Sequence, residues 1–335
     1  MYTHRIGLIA DVQYADVDDV WNHMKTHKRR YRTTLVALKN AVKWWNENQV
    51  VFVADLGDAV DGCKNLDNEM AIHALNSIQY EWNKLNTNVI HLVGNHELYL
   101  FSRNQLVDGV SCLQKEAQST FTCVCPVSLA GSPRKSTFYS FLLPQPPLWR
   151  VVVLDSYDVS TLTDGAGTLH AEALNLCQKN NPNSLTGSSN YFEGLQGPEC
   201  RWCPFNGGLG EEQLQWLESV LINATKLKET LIVFSHVILH PNATPNSNCH
   251  TLLWNYDKVL KLFKDHSCVK IVICGHAHQP GYFWDPNSKI HHITLASPLE
   301  ADDLAEETFG LIELSEKSAK LIGRGGVASM NLDLQ

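Results

Sequence analysis

The sequence lacks long hydrophobic runs and an excess of positive charge. None of its apolar stretches approaches the ~18–20 residues of a membrane-spanning helix, and its first residues, "MYTHRIGLIAD", contain no apolar stretch of a signal peptide. Its 27 Lys and Arg residues are outnumbered by 35 Asp and Glu residues, for a formal net charge of −8. Nucleic-acid backbones are held mainly by clustered Lys and Arg. We therefore expect a cytoplasmic protein with no nucleic-acid or membrane partner, and we expect a monomer.

Close cysteine pairs are also scarce. The ten cysteines are scattered, and only "CVC" and "CRWC" place two of them together. A zinc site at "CRWC" would need a second pair of ligands, and none lies close in sequence, so we expect reduced thiols. The one basic cluster, residues 27–32 ("HKRRYR"), is predicted to be the solvated start of a helix, where a local phosphate contact remains open.

Strand and helix patterns alternate over most of the chain, which has 335 residues and 44% hydrophobic residues and can bury a large core. Short apolar runs that end at polar residues predict buried strands; they lie at 6–10, 50–55, 88–94, 150–155, 230–236 and 269–278. Apolar residues at helical spacing predict helices at 31–45, 71–85, 211–224 and 255–265. From about residue 281 short strands predominate and predict a second sheet. The pattern predicts an α/β fold.

Residues 156–210 do not fit this alternation. The segment is polar, rich in Gly, Asn, Ser and Pro, and shows little periodicity. Irregular segments this long inside a compact domain are usually functional or disordered. We treat residues 1–335 as a single domain in which this irregular insert forms part of the substrate site, with a surface excursion as the alternative.

Metal-competent side chains stand where the predicted strands end. These positions read "ADVQ", "LGDAVDG", "VGNHE", "FSH" and "CGHAH". Ligands of open α/β sheets bind just beyond the carboxyl ends of the strands. Carboxylate, amide and imidazole together suit borderline divalent ions such as Mn²⁺, Fe²⁺ or Zn²⁺. The set is large enough for two ions if one carboxylate bridges them.

These motifs, in this order, resemble the calcineurin-like metallophosphoesterase superfamily. The resemblance implies a four-layer sandwich of two mixed β-sheets flanked by helices. It implies a first metal site and a second one that share a bridging Asp58. The first would be held by Asp11, Gln13, Asp58 and His278. The second would be held by Asp58, Asn95, His236 and His276.

The resemblance also implies a mechanism in which a metal-bridging hydroxide attacks phosphorus. His96 matches the residue of this family that stabilises the transition state or protonates the leaving oxygen. Asp61 would orient the His96 imidazole.

The first motif points to one group of enzymes within the superfamily, because it reads "D-x-Q" where the superfamily usually has "D-x-H". With "ADVQYAD", "RRYR" and "NGGLG", the sequence resembles the manganese-dependent ADP-ribose/CDP-alcohol diphosphatases. The resemblance implies hydrolysis of ADP-ribose to AMP and ribose 5-phosphate, and of CDP-alcohols to CMP and a phosphoalcohol. It implies two divalent ions, with Mn²⁺ preferred over Zn²⁺, Fe²⁺ or Mg²⁺. An amide oxygen at Gln13 favours Mn²⁺ over ions that prefer softer ligands.

A nucleoside diphosphate substrate needs a surface for its base, which an aromatic ring provides by stacking. Phe205 is the first candidate and Tyr191 the second, with loop anchoring as the alternative role. Cys249 and His23 are weaker candidates for the wall of the same pocket. A phosphodiesterase or phosphomonoesterase acting on cyclic nucleotides or other phosphoesters remains the alternative enzyme, and an inactive scaffold the alternative without catalysis.

Overall fold

Two six-stranded mixed β-sheets pack face to face in the computed structural model, which describes residues 4–23, 25–62, 67–108, 137–144, 146–162, 168–185, 190–247 and 249–335. The strands are β1 (His4–Ile9), β2 (Val20–Trp21), β3 (Lys28–Arg29), β4 (Phe52–Asp55), β5 (Val89–His91), β6 (Tyr139–Leu142), β7 (Trp149–Val153), β8 (Thr230–Ser235), β9 (Val269–Cys274), β10 (Gly281–Asp285), β11 (Ile290–Thr294), β12 (Phe309–Leu314), β13 (Ser318–Arg324) and β14 (Met330–Asp333). The helices are α1 (Tyr31–Asn48), α2 (Asn68–Trp82), α3 (Asn95–Leu100), α4 (Arg103–Asp108), α5 (Thr168–Asn180), α6 (Glu211–Leu227) and α7 (Tyr256–Asp265).

Each sheet has parallel strands at its centre or on one side and antiparallel strands beyond them. The first sheet has the order β14-β13-β12-β1-β4-β5, with β1, β4 and β5 parallel. The second has the order β10-β11-β9-β8-β7-β6, with β11, β9, β8 and β7 parallel. The facing sides of the sheets form one apolar core, in which Phe52 and Phe141 meet edge to face at 5.5 Å between ring centroids. This buried layer brings the ends of both sets of parallel strands together.

Helices cover the outer faces of both sheets. Residues of α1 and α2 pack against the first sheet, and residues of α6 and α7 pack against the second. The predicted apolar stripe of α1 is buried at Tyr31, Leu38, Val42 and Trp45 and half-buried at Leu35. The helix ends where Gln49 takes a left-handed backbone conformation. The predicted four-layer sandwich is therefore confirmed. Among the described residues, no helix combines the length and apolar content that crossing a bilayer requires.

Trp45 is the central side chain between α1 and the first sheet. It is fully buried, stacks on Trp82 at 6.0 Å between ring centroids, and donates its indole N–H to Gly310 O at 2.8 Å. Because removal of a large buried ring leaves a cavity, we expect Trp45→Ala to lower the free energy of unfolding by about 3–5 kcal/mol in urea denaturation. Trp21→Ala is the matched control, since Trp21 is 60% exposed. Equal losses for the two variants would contradict this packing.

Four features differ from the sequence predictions. The segment 156–210, predicted to be irregular, contains helix α5. Its apolar stripe packs on Trp254 and is only a few residues wide, which explains the weak periodicity. The strands after residue 281 do not form a sheet of their own, because β10 and β11 extend the second sheet while β12 to β14 extend the first. Residues 28–29 of the basic cluster, predicted to start a helix, pair with β2 as strand β3, and α1 begins only at Tyr31. Strands β2, β6 and β14 and helices α3 and α4 were not predicted.

Candidate metal centre

The parallel strands of both sheets deliver their polar residues to one place. Asp11 and Gln13 follow β1, Asp58 follows β4, Asn95 follows β5, His236 follows β8, and His276 and His278 follow β9. All seven side chains are buried. One potential ligand atom each from Asp58, His236 and His276 lies within 4.8 Å of the others, a spacing at which a single metal ion can be held. The structure therefore brings the sequence-predicted metal ligands together.

The backbone at this cluster is strained. Five of the seven residues have positive φ angles: Asp11 (52°), Gln13 (42°), Asp58 (57°), His276 (72°) and His278 (62°). A left-handed conformation costs a non-glycine residue roughly 1–2 kcal/mol. Hydrogen bonds hold it here, since Gln13 N donates to Asp58 O at 2.8 Å and His276 N donates to Asp11 Oδ2 at 2.9 Å. Such strain concentrates at functional sites.

Partners outside the cluster fix the orientation of all three imidazoles. His236 Nδ1 donates to Leu56 O at 2.7 Å, His276 Nε2 to Asn206 Oδ1 at 2.8 Å, and His278 Nδ1 to Glu300 Oε1 at 3.0 Å. The oxygen of Asn206 is defined because its amino group donates to two carbonyls, those of Arg201 and His250. The second nitrogen of each imidazole is therefore left for a ligand, as in metal sites whose histidines are held by outer partners.

The nitrogens that remain face one another and the Asp58 carboxylate. His236 Nε2 lies 3.1 Å from His276 Nδ1 and 3.5 Å from Asp58 Oδ2. Two imidazole lone pairs at this distance repel each other unless a proton or a metal ion stands between them. The space between His236, His276 and Asp58 is therefore suited to a proton or a metal cation.

The surroundings of Gln13, which contacts the same oxygen of Asp58, support the same conclusion. Its amino group, Nε2, donates to Asp58 Oδ2 at 3.1 Å and lies 2.8 Å from His278 Nε2. Its oxygen, Oε1, is buried without a hydrogen-bond partner in the described part of the chain. Amide oxygen and nitrogen exchange places by a 180° rotation. The rotated amide presents the oxygen to the space between Asp58 and His278, where a metal ion would use it.

The buried charges of the cluster shift one another's pKa values. Burial raises the pKa of Asp11 to about 6, although His236 and His278 oppose this effect. Burial also acts to raise the pKa of Asp58, but His236 and His96 hold it well below its usual range. Burial lowers the pKa of His236, yet the Asp58 carboxylate raises it to about 9 overall. Buried carboxylates that hold a proton on a neighbouring imidazole can exchange that proton for a metal ion.

His96 and Asp61 form a pair beside the cluster. His96 Nδ1 lies 2.8 Å from Asp61 Oδ1 and 2.8 Å from the Gly62 backbone nitrogen. A protonated Nδ1 donates to Asp61, and an unprotonated Nδ1 accepts from the Gly62 N–H. Burial lowers the pKa of His96, but Asp58 and Asp61 raise it by more. The other ring nitrogen, Nε2, lies 4.0 Å from Asp58 Oδ2.

Sequence reasoning missed several residues that hold the ligands in place. Tyr157 donates its hydroxyl to Asn95 Oδ1 at 3.1 Å, and Asn95 Nδ2 donates to Tyr99 Oη at 3.3 Å. Glu97 accepts the backbone N–H groups of Asp58, Ala59 and Gly94. Glu97 belongs to the quoted "GNHE" motif, where an acid in the first turn of a helix is a recognisable capping signal. Tyr157, Asn206 and Glu300 carry no comparable signal.

The motif "GNHE" begins with Gly94 because this position has no room for a side chain. A Cβ atom at Gly94 would lie 2.0 Å from Asp58 Oδ1 and 2.6 Å from Asp58 N. No side chain fits in that space. The close approach of the two loops places Asn95 and His96 directly beside Asp58, where His96 N donates to Asp58 Oδ1 at 2.8 Å.

The predicted substrate residues occupy different surroundings. Phe205 lies 5.9 Å from His276 between ring centroids and meets Tyr191 at 6.3 Å and Phe192 at 6.2 Å. Phe192 is itself stacked on His250 at 3.8 Å. Cys249 is buried among Thr244 and Pro241, and burial raises its pKa. His23 is exposed in the turn between β2 and β3.

A family model described as calcineurin-like phosphoesterase matches residues 4–280, which include all the strand-end motifs. This chain belongs to the calcineurin-like phosphoesterase family. The chain is 34% identical to a protein of Xenopus laevis, over 97% of this chain and 89% of that protein, and 31% identical to a protein of Homo sapiens, over 96% and 90%. Both relatives are named manganese-dependent ADP-ribose/CDP-alcohol diphosphatase. The resemblance inferred from the motifs is confirmed.

Two solved structures are similar to this one in fold. A dimetal phosphatase from Danio rerio superposes with a TM-score of 0.83 and 32% identity, covering 99% of both chains. An inner-membrane-complex anchor protein of Plasmodium, GAP50, superposes with a TM-score of 0.57 but only 14% identity, over 99% of this chain and 89% of that one. The second likeness concerns the fold alone.

Proposed function

We propose that this phosphoesterase uses two Mn²⁺ ions to hydrolyse the diphosphate bond of ADP-ribose, giving AMP and ribose 5-phosphate, and of CDP-alcohols, giving CMP and a phosphoalcohol. The observation that carries the proposal is the buried cluster of oxygen and nitrogen donors at the ends of the parallel strands. Its donor types suit Mn²⁺. The near full-length relatives named for this activity support the substrate class.

The proposed ligands divide into two sets around Asp58. One proposed set is Asp11, Gln13 and His278 and the other is Asn95, His236 and His276, with Asp58 common to both. When bound, a pair of divalent ions at such a site activates water and stabilises the charge that develops on the phosphoryl oxygens. The protein contributes the fixed imidazoles, the anchored Asn95 and a buried carboxylate between them.

His96 is proposed to move the proton of this reaction. The water oxygen forms a bond to one phosphorus atom while the bond from that phosphorus to the bridging oxygen breaks. His96 supplies a proton to the departing phosphate oxygen and regains one from the attacking water, so the products differ from the substrate by one water molecule. Asp61 holds the imidazole by its Nδ1, 2.8 Å away, and stabilises its protonated form.

Tyr157 provides a test of how Asn95 is held. Tyr157→Phe removes only the hydroxyl, which lies 3.1 Å from Asn95 Oδ1 and 3.2 Å from Phe205 O. Because partners that orient metal ligands commonly contribute about 10–100-fold to metal affinity, we expect Mn²⁺ to bind about tenfold more weakly. Equilibrium dialysis measures this change. Tyr80→Phe is the control, since Tyr80 lies on the surface of α2. Unchanged Mn²⁺ affinity in Tyr157→Phe would show that Asn95 needs no such support.

Phe205 is proposed to stack on the base, and the segment 156–210 to contribute to the substrate site in this way. Its ring lies beside His276 and is only partly buried. We expect Phe205→Ala to raise KM for ADP-ribose and CDP-choline by about tenfold or more, because a stacked base contributes about 1–3 kcal/mol. Activity on bis(p-nitrophenyl) phosphate, which has no nucleobase, should stay within about threefold. An equal effect on all three substrates would assign Phe205 to loop anchoring.

The direct test of the proposal is a hydrolysis assay on metal-stripped protein. ADP-ribose, CDP-choline and bis(p-nitrophenyl) phosphate are each supplied with Mn²⁺, Mg²⁺ or Zn²⁺. We expect Mn²⁺ to restore the release of AMP and CMP most strongly. Turnover of the phosphodiester alone would reject the diphosphate substrates and favour the general phosphodiesterase. No turnover with any ion would favour an inactive scaffold.

The cellular compartment, oligomeric state and partners of the enzyme belong to the same proposal. We expect it to act as a cytoplasmic monomer on small-molecule diphosphates, without a nucleic-acid or membrane partner. The formal net charge of −8 supports the expectation that no nucleic acid is a partner.

A further inference from the structure

Arg29 is linked to the proposed metal ligand His278 through the buried carboxylate of Glu300. Its Nε donates to Glu300 Oε1 at 3.0 Å, and the same oxygen accepts from His278 Nδ1 at 3.0 Å. Asn22 Nδ2 donates to the other oxygen, Glu300 Oε2, at 3.0 Å. Glu300 is buried, so it holds the inner part of the Arg29 side chain and the His278 ring in fixed positions. Arg29 is thus prearranged beside a proposed metal ligand.

The outer end of the Arg29 guanidinium has no partner in the described part of the chain. Neither Nη1 nor Nη2 donates a hydrogen bond there, and 29% of the side chain is exposed. Its neighbours differ, because Arg32 pairs with both Asp16 and Asp18, and Arg30 pairs with Asp303. Two strong donors of a permanent cation are therefore available to a ligand.

His278, the other partner of the Glu300 carboxylate, reaches into the proposed metal centre, where its Nε2 lies 2.8 Å from Gln13 Nε2. Because Glu300 alone separates Arg29 from a proposed metal ligand, the open donors of Arg29 lie beside the centre at which the attacked phosphate would bind.

A diphosphate presents two phosphates, and only one of them is attacked. The other departs with additional negative charge, which a fixed guanidinium stabilises through charge-assisted hydrogen bonds. A simple phosphodiester has no second phosphate and gains nothing from such a group. Arginine suits this task because its planar fork matches phosphate oxygens.

We propose that Arg29 binds the second, departing phosphate of the substrate and selects diphosphates over simple phosphodiesters. This inference rests on the proposed function and names the residue responsible for its substrate class.

The test compares Arg29→Gln with two other variants. Arg32→Gln makes the same charge change at an arginine already paired with two carboxylates. Glu300→Gln weakens the support of His278 and reports what a purely structural role would do. For each variant, kcat/KM is measured for ADP-ribose and for bis(p-nitrophenyl) phosphate, together with bound Mn²⁺. Calorimetry then measures the binding of methylenediphosphonate and of inorganic phosphate to the Mn²⁺-loaded proteins.

We expect Arg29→Gln to lower kcat/KM for ADP-ribose by about 100-fold, while bis(p-nitrophenyl) phosphate and bound Mn²⁺ change by less than about threefold. Methylenediphosphonate should bind about tenfold more weakly, and inorganic phosphate should be affected by less than about threefold. Arg32→Gln should resemble the unmodified protein in all four measurements.

Two results would overturn the inference. Parallel losses of both activities and of Mn²⁺ in Arg29→Gln, as expected for Glu300→Gln, would reduce Arg29 to a support for His278. Unchanged binding of methylenediphosphonate would exclude contact with a second phosphate. Failure of the proposed function is distinguishable, since the unmodified protein would then leave ADP-ribose and CDP-choline intact, and the methylenediphosphonate measurement would still decide the role of Arg29.

Discussion

Asp58→Asn is expected to reduce Mn²⁺-dependent hydrolysis by about 10³-fold or more. Two metal ions supply several kcal/mol of transition-state stabilisation, and each 1.4 kcal/mol corresponds to about tenfold in rate. Asp58 Oδ2 lies 3.1 Å from Gln13 Nε2 and 3.5 Å from His236 Nε2, between the two proposed ligand sets. A neutral amide there removes the charge that both ions would share. Bound Mn²⁺ and ADP-ribose turnover measure the effect together.

The fold should survive this substitution. Asn keeps an oxygen that can accept the His96 backbone N–H, which Asp58 Oδ1 accepts at 2.8 Å. Circular dichroism and urea denaturation of the metal-free protein check that point. Asp265→Asn is the matched control, because Asp265 is a surface carboxylate paired with Lys261 on α7. Retention of two Mn²⁺ ions and of activity by Asp58→Asn would contradict the bridging role.

His96→Asn is expected to lower kcat by about 10²–10⁴-fold, the range typical of a general acid or base. Unlike Asp58→Asn, it should leave bound Mn²⁺ nearly unchanged, because His96 is not among the proposed ligands. Substrates with good leaving groups should be less affected, since a nitrophenolate departs without a proton. The comparison of ADP-ribose with bis(p-nitrophenyl) phosphate therefore separates proton transfer from metal loss.

Two variants test this assignment. His73→Asn replaces an exposed histidine on α2 and should retain full activity. Asp61→Asn should lower kcat less than His96→Asn does, because Asp61 acts through the imidazole 2.8 Å away. It should also shift the pH profile of kcat towards lower pH, because the protonated imidazole loses its carboxylate partner. An equal loss of activity on both substrates in His96→Asn would argue against proton transfer by this residue.

The metal centre was predictable because its signals are local. Asp11, Asp58, Asn95 and His236 each follow a short apolar run, and parallel strands in a sheet deliver their carboxyl ends to one edge. The helix pattern of α1 was equally clear, since its apolar residues recur on one face. The residues that orient the proposed metal ligands were harder to predict from the sequence. Asn206 lies 70 residues before His276, and Glu300 lies 22 residues after His278. Tertiary structure alone creates those contacts.

The remaining differences in the fold have a related cause. The pattern within β10 to β13 predicts strands but not which sheet each joins, because the choice depends on the free edges of both sheets. Helix α5 has an apolar stripe too narrow to stand out in a Gly- and Asn-rich segment. The left-handed backbone at Asp11, Asp58 and His278 is likewise invisible in sequence, since nothing but the surrounding structure maintains it.

The number of Mn²⁺ ions that each chain binds is the most direct test of the proposed dinuclear centre. Metal-stripped protein is equilibrated with Mn²⁺ by dialysis, and bound metal is measured by mass spectrometry against protein concentration. We expect two Mn²⁺ ions per chain. One ion per chain would contradict the dinuclear centre around Asp58, and no bound Mn²⁺ would contradict the metal centre altogether.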